Sequence, residues 1–481
     1  MKTEQRIVKN TSWLMIAKFA SRVLSAVLVI LLANHLLPVN FGIFNLAFAI
    51  AYITAVIIDF GFDEMTVREV SRAKQSTAEI LSTVLLSRGL LLFLNFSLLV
   101  AVYLLLISYV NTEMTLGVLL IAGTMLAMEK MTASFSAVFQ AHERMDLQGI
   151  TELIWKGVYL TIGFTAISIG LGLESILLLL LISYALYFVV SLSAYSLVIG
   201  EGFQKPRVKN IPKSIKTTFP FTVFVLLAVF YGHIVILLLT LLEGDYATGV
   251  YSASWKIVVF LGVVPYAFGR GLYPVFSKMY EEGGNMLERA YDRSMKYMLI
   301  AGLPITIALY IIADDVLGLI YREEFTATTP VFRTIVWMLP FLFMNGSLKI
   351  VLWASNRTFK ASFNLFISSV TLIAAGMLLI PVYGVTGAAG AVVIAEMVHF
   401  ILNYHVVSSF LEPLPVSHLW KPFSASAVMG VVLLLPKIFS TRVFLFYLLI
   451  SSLLAYAAVL YTVGGVTKKD IYTLTDIFFK R

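Results

Sequence analysis

Long apolar segments alternate with short polar turns along almost the whole chain. An α-helix rises about 1.5 Å per residue, so about 20 apolar residues are needed to cross the hydrocarbon core of a bilayer. Segments of this kind, bounded by polar turns, predict fourteen membrane-spanning helices. They lie near residues 12–36, 42–60, 80–107, 115–139, 151–171, 175–199, 219–242, 249–271, 295–319, 331–353, 363–382, 385–407, 422–439 and 443–463.

The composition agrees with a membrane protein. Of the 481 residues, 59% are hydrophobic and 13% are charged, and the mean hydropathy is +0.91. Soluble proteins carry about 25% charged residues. The first apolar segment is longer than the core of a signal peptide and has no cleavage motif behind it, so we expect it to remain as the first span. These features predict an all-α, multi-pass membrane protein.

Positive charges fall mainly on alternate connections between the predicted spans. If Met1 is cytoplasmic, the external loops hold only Arg322, Lys437 and Arg442. The cytoplasmic segments hold far more lysine and arginine, including those within residues 2–9, 68–74, 205–216, 278–296 and 468–481. The positive-inside rule therefore places both termini in the cytoplasm. We attribute the net charge of +8 to orientation and membrane contact, and we expect no nucleic-acid partner.

The sequence gives little indication of disulfides, metal or cofactor sites, or enzymatic activity. There is no cysteine for a disulfide or a thiol nucleophile, and the six histidines are scattered, so we expect neither a metal site nor a cofactor. The predicted external loops are short, the longest running from about Tyr321 to Pro330. A membrane-embedded glycan polymerase or transferase would need catalytic carboxylates or histidines on a larger external loop. That function is the weakest of those considered.

An internal repeat predicts two similar halves. The turn F-G-I-F at 41–44 recurs as T-G-V-Y at 248–251, and Q-A-H-E-R at 140–144 recurs as W-A-S-N-R at 353–357, at shifts of 207 and 213 residues. We predict a six-helix lobe at 1–200, a Pro-broken basic linker at 201–218, a second six-helix lobe at 219–407, and two additional helices with a tail at 408–481. Because six is even, the repeats are parallel, and proteins of this kind hold substrate between the lobes and expose it alternately.

Two cations interrupt the first predicted span. Lys18 and Arg22 are four residues apart and share one helix face, and Arg22 lies on the order of 15 Å beyond Ser12, near the bilayer midplane. A helix that began at Val23 would leave both cations among the headgroups, but the remaining segment is too short to cross the bilayer. A central arginine costs about 2.5 to 3.5 kcal/mol, so it should face an aqueous cavity or an anion.

Two further cations, Arg88 and Lys256, lie about two turns inside the third and eighth predicted spans. Arginine binds phosphate through a two-pronged fork, and lysine acts as a mobile point charge. The candidate site for an anionic headgroup in a central cavity therefore comprises Lys18, Arg22, Arg88 and Lys256. The alternative for Arg88 and Lys256 is that their side chains reach back to the nearer membrane surface.

The twelfth predicted span contains two titratable residues, Glu396 and His399, which lie one turn apart on the same helix face. They are candidates for coupling to a proton or Na⁺, because an intramembrane carboxylate must be neutral or have a cationic partner. The alternative is a protonated Glu396 bonded to a neighbouring helix. Glu152 and Lys156, four residues apart in the fifth span, most simply pair with each other.

Several motifs in order resemble one known family. They are P-V-N-F-G-I-F-N (38–45), D-F-G-F (59–62) with V-R-E-V-S-R (67–72), G-V-Y-S-A-S-W-K (249–256), P-V-F-S-K (274–278) and Y-G-V-T-G-A-A-G-A (383–391). Together they resemble the oligosaccharide and polysaccharide flippases of the multidrug/oligosaccharidyl-lipid/polysaccharide exporter superfamily. The resemblance implies a V-shaped pair of lobes in the cell membrane. It also implies transfer of a polyprenyl-phosphate- or polyprenyl-diphosphate-linked glycan from the inner to the outer leaflet, and we expect a monomer.

The resemblance also bears on the cargo. S-R-V-L at 21–24 is similar to the lipid II flippase branch, which has an arginine important for activity at the place of Arg22 and a basic residue at the place of Lys256. Leu28, Val56 and Ile57 are apolar in the regions where that branch has further arginines, which argues against a peptidoglycan precursor. The drug-exporting branch commonly has an acidic residue in its first or seventh span, and neither span has a buried one here. An ion-coupled multidrug exporter is kept as the alternative function.

Overall fold

The computed structural model describes residues 3–72, 76–110, 112–200, 202–206, 211–283, 285–412, 417–438 and 445–466. The predicted linker and the C-terminal tail therefore lie partly outside the described residues. The helices are α1 Thr3–Asp59, α2 Phe62–Ser71, α3 Thr77–Tyr109, α4 Leu116–Ala141, α5 Met145–Ser168, α6 Leu173–Val198, α7 Ile211–Leu261, α8 Val263–Glu282, α9 Met286–Ile311, α10 Ala313–Ile320, α11 Thr328–Ile335, α12 Leu339–Ala354, α13 Thr358–Ser408, α14 Ser417–Ile438 and α15 Leu445–Thr462.

Three long helices are each broken at one residue. The break in α1 is at Leu37 (φ 60°, ψ 172°), directly before Pro38, which disfavours helical geometry in the residue that precedes it. The breaks in α7 and α13 are at Gly244 (φ 86°) and Gly384 (φ 56°), where glycine tolerates a positive φ. Each break separates two predicted spans. The described residues then contain a helical segment at each of the fourteen predicted positions, which confirms the all-α prediction.

Backbone irregularities recur at the spacing of the sequence repeat. The breaks at Leu37 and Gly244 are 207 residues apart. Glu143 and Asn356, which have φ of 57° and 56°, are 213 residues apart and follow α4 and α12. These pairs place unusual backbone geometry at matching turns of the repeat. They support the duplicated six-helix unit, and the superposition of two lobes stays a prediction.

The chain divides into two compact units. The first contains residues 1–256 and 376–388. In it, α1 packs against α5 and α4, and α4 also packs against α6, α2 and α3. Close packing depends on small residues, because a Cβ at Gly163 of α5 would overlap the side chain of Leu28 in α1. Five helices of this unit, α1, α2, α4, α5 and α6, line a cavity that contains charged side chains.

The second unit contains residues 257–375 and 389–481. Here α12 packs against α8 and α9, and α9 also packs against α14. Met429 and Leu433 of α14 share one buried cluster with Tyr456 of α15, and Ile300 of α9 packs against that cluster. The hydroxyl of Tyr456 donates a hydrogen bond of 2.7 Å to the carbonyl oxygen of Ile300. The two additional helices are therefore anchored on α9.

Large apolar side chains cover much of the surface. Leu197, for example, is 84% exposed, and Phe359 and Phe93 are nearly as exposed. Such extensive apolar exposure would be a liability in water and is suited to hydrocarbon, where the helices satisfy their own backbone groups. Nine helices of the described residues are long and apolar enough to span a membrane, and three of them, Ile16–Ser71, Val225–Glu282 and Thr358–Ser408, contain the broken segments. The protein is a multi-pass membrane protein.

Candidate functional site

A cavity of about 260 Å³ opens within the first unit between α1, α2, α4, α5 and α6. Its lining combines three carboxylates, one lysine, several uncharged polar groups and two aromatic rings. These residues are Lys18, Asp63, Glu129, Ala133, Ser136, Ala137, Gln140, Gln148, Glu152, Trp155 and Tyr187. Charged groups among apolar helices mark candidate substrate or ion sites in membrane proteins.

Lys18 lies in the wall of this cavity, which is enclosed by helices of the first unit alone. Its neighbours in the wall include Asp63, Glu129 and Glu152. Three carboxylates repel an anion, so this environment argues against a phosphate bound at Lys18. The ammonium of Lys18 instead balances part of the negative charge of the wall.

Arg88 has a different environment from the predicted one. Its side chain is fully buried, and Nη2 lies 3.0 Å from Oδ1 of Asp59 and 2.8 Å from Oδ1 of Asp63. Nη1 donates to the hydroxyl of Ser134 at 2.6 Å and to the carbonyl oxygen of Lys130. The ammonium of Lys130 lies 2.8 Å from Asp59. The two carboxylates compensate the charge of Arg88, which argues against its assignment to a headgroup site and indicates a structural role.

The aromatic part of the wall is built around Trp155. Its ring stacks on that of Tyr187, with centroids 4.4 Å apart and an interplanar angle of 5°, and meets Tyr184 edge-on at 4.8 Å. The ammonium of Lys156 lies 3.4 Å from the centre of the Trp155 ring. The spacing of Lys156 favoured Glu152 as its partner, whereas the contact found for its ammonium is this cation–π contact, which suits a cation in apolar surroundings.

Arg22 and Lys256 also belong to the first unit, and both are half-buried. Arg22 lies one turn beyond Lys18 in α1. Lys256 lies in α7, close enough to His233 for their charges to interact, and the ring of His233 stacks on Tyr52 at 5.1 Å. Of the four predicted cations, the cavity wall includes Lys18 and excludes Arg22, Arg88 and Lys256. A shared headgroup site for Arg22 and Lys256 stays a prediction.

Glu396 lies in the second unit at the end of a chain of buried amides. Nδ2 of Asn345 donates to Oε1 of Glu396 at 2.9 Å, and Asn403 donates to Asn345 at 3.1 Å. Asn364 donates in turn to Asn403 at 3.0 Å. His399, also buried, lies one turn from Glu396. Glu396 is therefore bonded to a neighbouring helix, as the alternative for it required, and the bond is compatible with either protonation state.

Sequence reasoning missed several of these groups. Glu129 and Lys130 are adjacent charges inside the fourth predicted span, and two charges in an apolar segment could have indicated a polar site there. Asp59 is the penultimate residue of the second predicted span, and Asp63 follows that span by three residues. Asn403 follows Glu396 by seven residues and thus shares its face. The partners of Lys130, of the two aspartates and of Asn403 lie on other helices, which a linear pattern does not reveal.

Apolar helices that enclose a charged cavity, with further charges buried beside it, are typical of membrane transporters. The family model described as "Polysaccharide biosynthesis protein" matches residues 7–280, more than half of the chain. The chain belongs to this family. A second family model, MatE, matches residues 220–378.

Curated relatives agree with the family. The "Probable low-salt glycan biosynthesis flippase Agl15" of Haloferax volcanii is 22% identical over 394 residues, covering 79% of each chain. The "Capsular polysaccharide biosynthesis protein CapF" of Staphylococcus aureus is 22% identical and matches 83% of this chain and 98% of its own length.

Solved structures with a similar fold include a lipid II flippase and a multidrug transporter. The lipid II flippase MurJ, in an inward closed conformation, has a TM-score of 0.76 at 16% identity, covering 97% of this chain and 98% of its own. An inward-facing multidrug transporter of the MATE family has a TM-score of 0.58 at 15% identity, covering 82% and 95%. These likenesses confirm the superfamily fold that the sequence motifs implied.

Proposed function

We propose that the protein flips a polyprenyl-phosphate- or polyprenyl-diphosphate-linked oligosaccharide from the inner to the outer leaflet of the cell membrane by alternating access. The glycan would serve cell-surface polysaccharide or glycoprotein biosynthesis. The observation that carries the proposal is the family match over residues 7–280, a range that includes every residue of the charged cavity. A relative named as a probable glycan biosynthesis flippase and a second one named as a probable flippase support it. We further propose a monomer with both termini in the cytoplasm, acting as a transporter and not as an enzyme.

The cargo has three parts with different solvent requirements. The sugar needs a polar, hydrated path, the prenyl tail remains in lipid, and the phosphate needs cations. Arg22 and Lys256 are the candidates for the phosphate, because they are half-buried cations of the first unit that lie outside the carboxylate-rich cavity wall. Arginine in particular offers two parallel hydrogen bonds to phosphate oxygens.

Glu396 is the candidate for coupling transport to a proton, with Na⁺ as the other ion considered. The residue is 2% exposed, and its carboxylate accepts a hydrogen bond from Asn345. Loss or gain of a proton at such a buried group changes the local charge greatly, so it can bias a conformational equilibrium. His399 and Lys349 are the neighbouring titratable groups that would respond.

An ion-coupled multidrug exporter is the second candidate. Two observations favour it, the MatE match over residues 220–378 and the three carboxylates of the cavity, which would suit a cationic drug. Transport of a fluorescent organic cation and of a lipid-linked oligosaccharide in the same proteoliposomes would discriminate the two functions.

The test of the flippase uses Arg22. The assay measures protection of a lipid-linked oligosaccharide from a membrane-impermeant glycosidase in proteoliposomes at matched protein levels. Arg22→Ala should reduce flipping severely because the bidentate partner is lost, and Arg22→Lys should give an intermediate defect since it keeps the charge without the fork. Arg22→Glu should be the most defective.

Arg289→Glu, at an exposed position of α9, is the matched control and should transport normally. Normal flipping by Arg22→Glu would contradict the role of Arg22. If the wild-type protein moved the organic cation but not the glycan lipid, the flippase proposal itself would be wrong.

A further inference from the structure

Two polar atoms of the cavity residues have no hydrogen-bond partner within the described part of the chain. One is the indole Nε1 of Trp155, a residue that is 5% exposed, and the other is Oε1 of Gln148. Both residues line the cavity. An indole N–H can only donate, whereas a side-chain carbonyl oxygen can only accept. Buried polar groups in folded proteins are almost always paired, so this donor and this acceptor require a partner that the protein does not supply.

The other cavity groups restrict what that partner can be. Asp63, Glu129 and Glu152 add carboxylate acceptors, and Lys18 adds a cationic donor. A phosphate would be repelled by Glu129 and Glu152, in addition to Asp63, which is already paired with Arg88. A prenyl chain would strip water from all of these groups without replacing their hydrogen bonds. A cation would suit the carboxylates but would leave the N–H of Trp155 without an acceptor. A hydroxyl both donates and accepts, so adjacent hydroxyls satisfy both kinds of group.

The size of the cavity also limits which ligand can bind there. Pockets for drug-sized ligands measure about 300 to 1,000 Å³, and this cavity is smaller, at about 260 Å³. It has room for one small polar ring, not for a whole oligosaccharide. The rigid stack of Trp155 on Tyr187 holds one side of the wall in place.

We propose that this cavity is a sugar-binding subsite that receives a single sugar ring of the lipid-linked glycan. The N–H of Trp155 donates to one ring hydroxyl, and Gln148 with Glu129 or Glu152 accepts from others. This assignment rests on the proposed flippase function and places the sugar apart from the phosphate. Recognition of the sugar is then a property of the first unit.

The test compares two probes, a polyprenyl diphosphate that carries one N-acetylhexosamine residue and the same lipid without sugar. Their affinities for the full-length protein are measured by titration in lipid nanodiscs. Trp155→Phe keeps an aromatic ring against Tyr187 but removes the N–H, and Gln148→Met keeps the length of the side chain but removes the carbonyl. Trp420→Phe and Gln204→Met, at exposed positions, are the matched controls.

The wild-type protein should bind the sugar-bearing lipid more tightly than the sugar-free lipid. Each cavity variant should raise the dissociation constant of the sugar-bearing lipid about fivefold to tenfold, because one buried hydrogen bond to the sugar is lost. The dissociation constant of the sugar-free lipid should change by less than about twofold. The controls should match the wild type. Thermal unfolding of each variant verifies its fold, and either cavity variant alone is sufficient for the comparison.

Two results would overturn the assignment, and they are distinguishable from failure of the flippase proposal. If the wild type prefers the sugar-bearing lipid and both cavity variants keep the full preference, the cavity is not the sugar subsite, although the function stands. If the variants weaken both lipids equally, the cavity has no selective role for sugar. If the wild type binds neither lipid, the flippase proposal fails and this assignment fails with it.

Discussion

The buried charge of Arg88 in the first unit is stabilised by carboxylates on other helices. Arg88 of α3 is held by Asp59 at the end of α1 and by Asp63 of α2, and Lys130 of α4 shares Asp59. The network therefore joins four helices. Asp63 also lines the cavity, so the same carboxylate contacts both the structural network and the candidate site. Removal of Arg88 would leave Asp59 paired with Lys130 and would take from Asp63 its ion pair with Arg88.

Replacement of Arg88 with methionine tests this role. The variant should lose about 3 to 5 kcal/mol of stability, because Asp59 and Asp63 lose their shared cation. Arg68→Met is the control, since Arg68 is 42% exposed and pairs with Glu69 at the surface. Such exposed pairs contribute about 0 to 1 kcal/mol. Unfolding in a mild detergent measures both variants, and equal stability of the two would contradict a structural role for Arg88.

Replacement of Glu396 with glutamine tests coupling at the residue scale. Glutamine keeps the carbonyl oxygen that accepts from Asn345 but cannot titrate. If a proton binds at Glu396 during transport, the wild type should respond to an imposed pH gradient and Glu396→Gln should not. The measurement is flipping rate in proteoliposomes with and without the gradient. The same response in both proteins would exclude Glu396 as the coupling group.

At the scale of elements, the broken helices of the first unit meet at their turns. A Cβ at Gly42 would overlap the carbonyl oxygen of Asp245, and a Cβ at Gly249 would overlap the carbonyl oxygen of Pro38. The carboxylate of Asp245 accepts hydrogen bonds of 2.9 Å from the hydroxyl of Thr112 and the amide of Glu113. The turns after Leu37, after Gly244 and between α3 and α4 thus form one turn cluster, on the side predicted to be external.

Alanine at Gly42 or Gly249 should separate the backbones of the turn cluster. We expect each variant to lose on the order of 1 to 3 kcal/mol of stability, as overpacking at rigid contacts does. Gly157→Ala in α5 is the matched control, because a Cβ there meets nothing within 4 Å. It should be neutral or stabilising by up to about 1 kcal/mol. Thermal unfolding compares the stability of the three alanine variants. Unchanged stability of both turn variants would show that the backbones of the turn cluster are not in tight contact.

At the scale of the whole molecule, the distribution of cations predicts both termini in the cytoplasm. The chain has no cysteine, so single cysteines report location directly. Phe203→Cys, in the predicted cytoplasmic connection, should resist an impermeant thiol reagent in intact cells, whereas Glu324→Cys, in the predicted external loop, should be labelled. Both positions are exposed. Labelling in the opposite pattern would invert the predicted orientation.

The sequence by itself determined the class of protein, the positions of the spans and the family. These follow because hydrocarbon forces each long apolar segment into a helix, so a linear pattern is sufficient. The breaks at Leu37, Gly244 and Gly384 fall between predicted spans. They depend on the backbone preferences of glycine and of the residue before proline, which need no tertiary partner.

The tertiary structure alone decided which polar groups meet. Arg88 and Asp59 are 29 residues apart, and Asn345 and Glu396 are 51 residues apart. Their contact depends on how each helix is rotated about its axis and how it crosses its neighbours. The sequence therefore located Lys18 and Arg88 as charges that need partners, but only the packed helices placed one in a cavity wall and the other between two carboxylates. Trp155 and Gln148 carried no signal in the sequence, because an unsatisfied atom exists only relative to the groups packed around it.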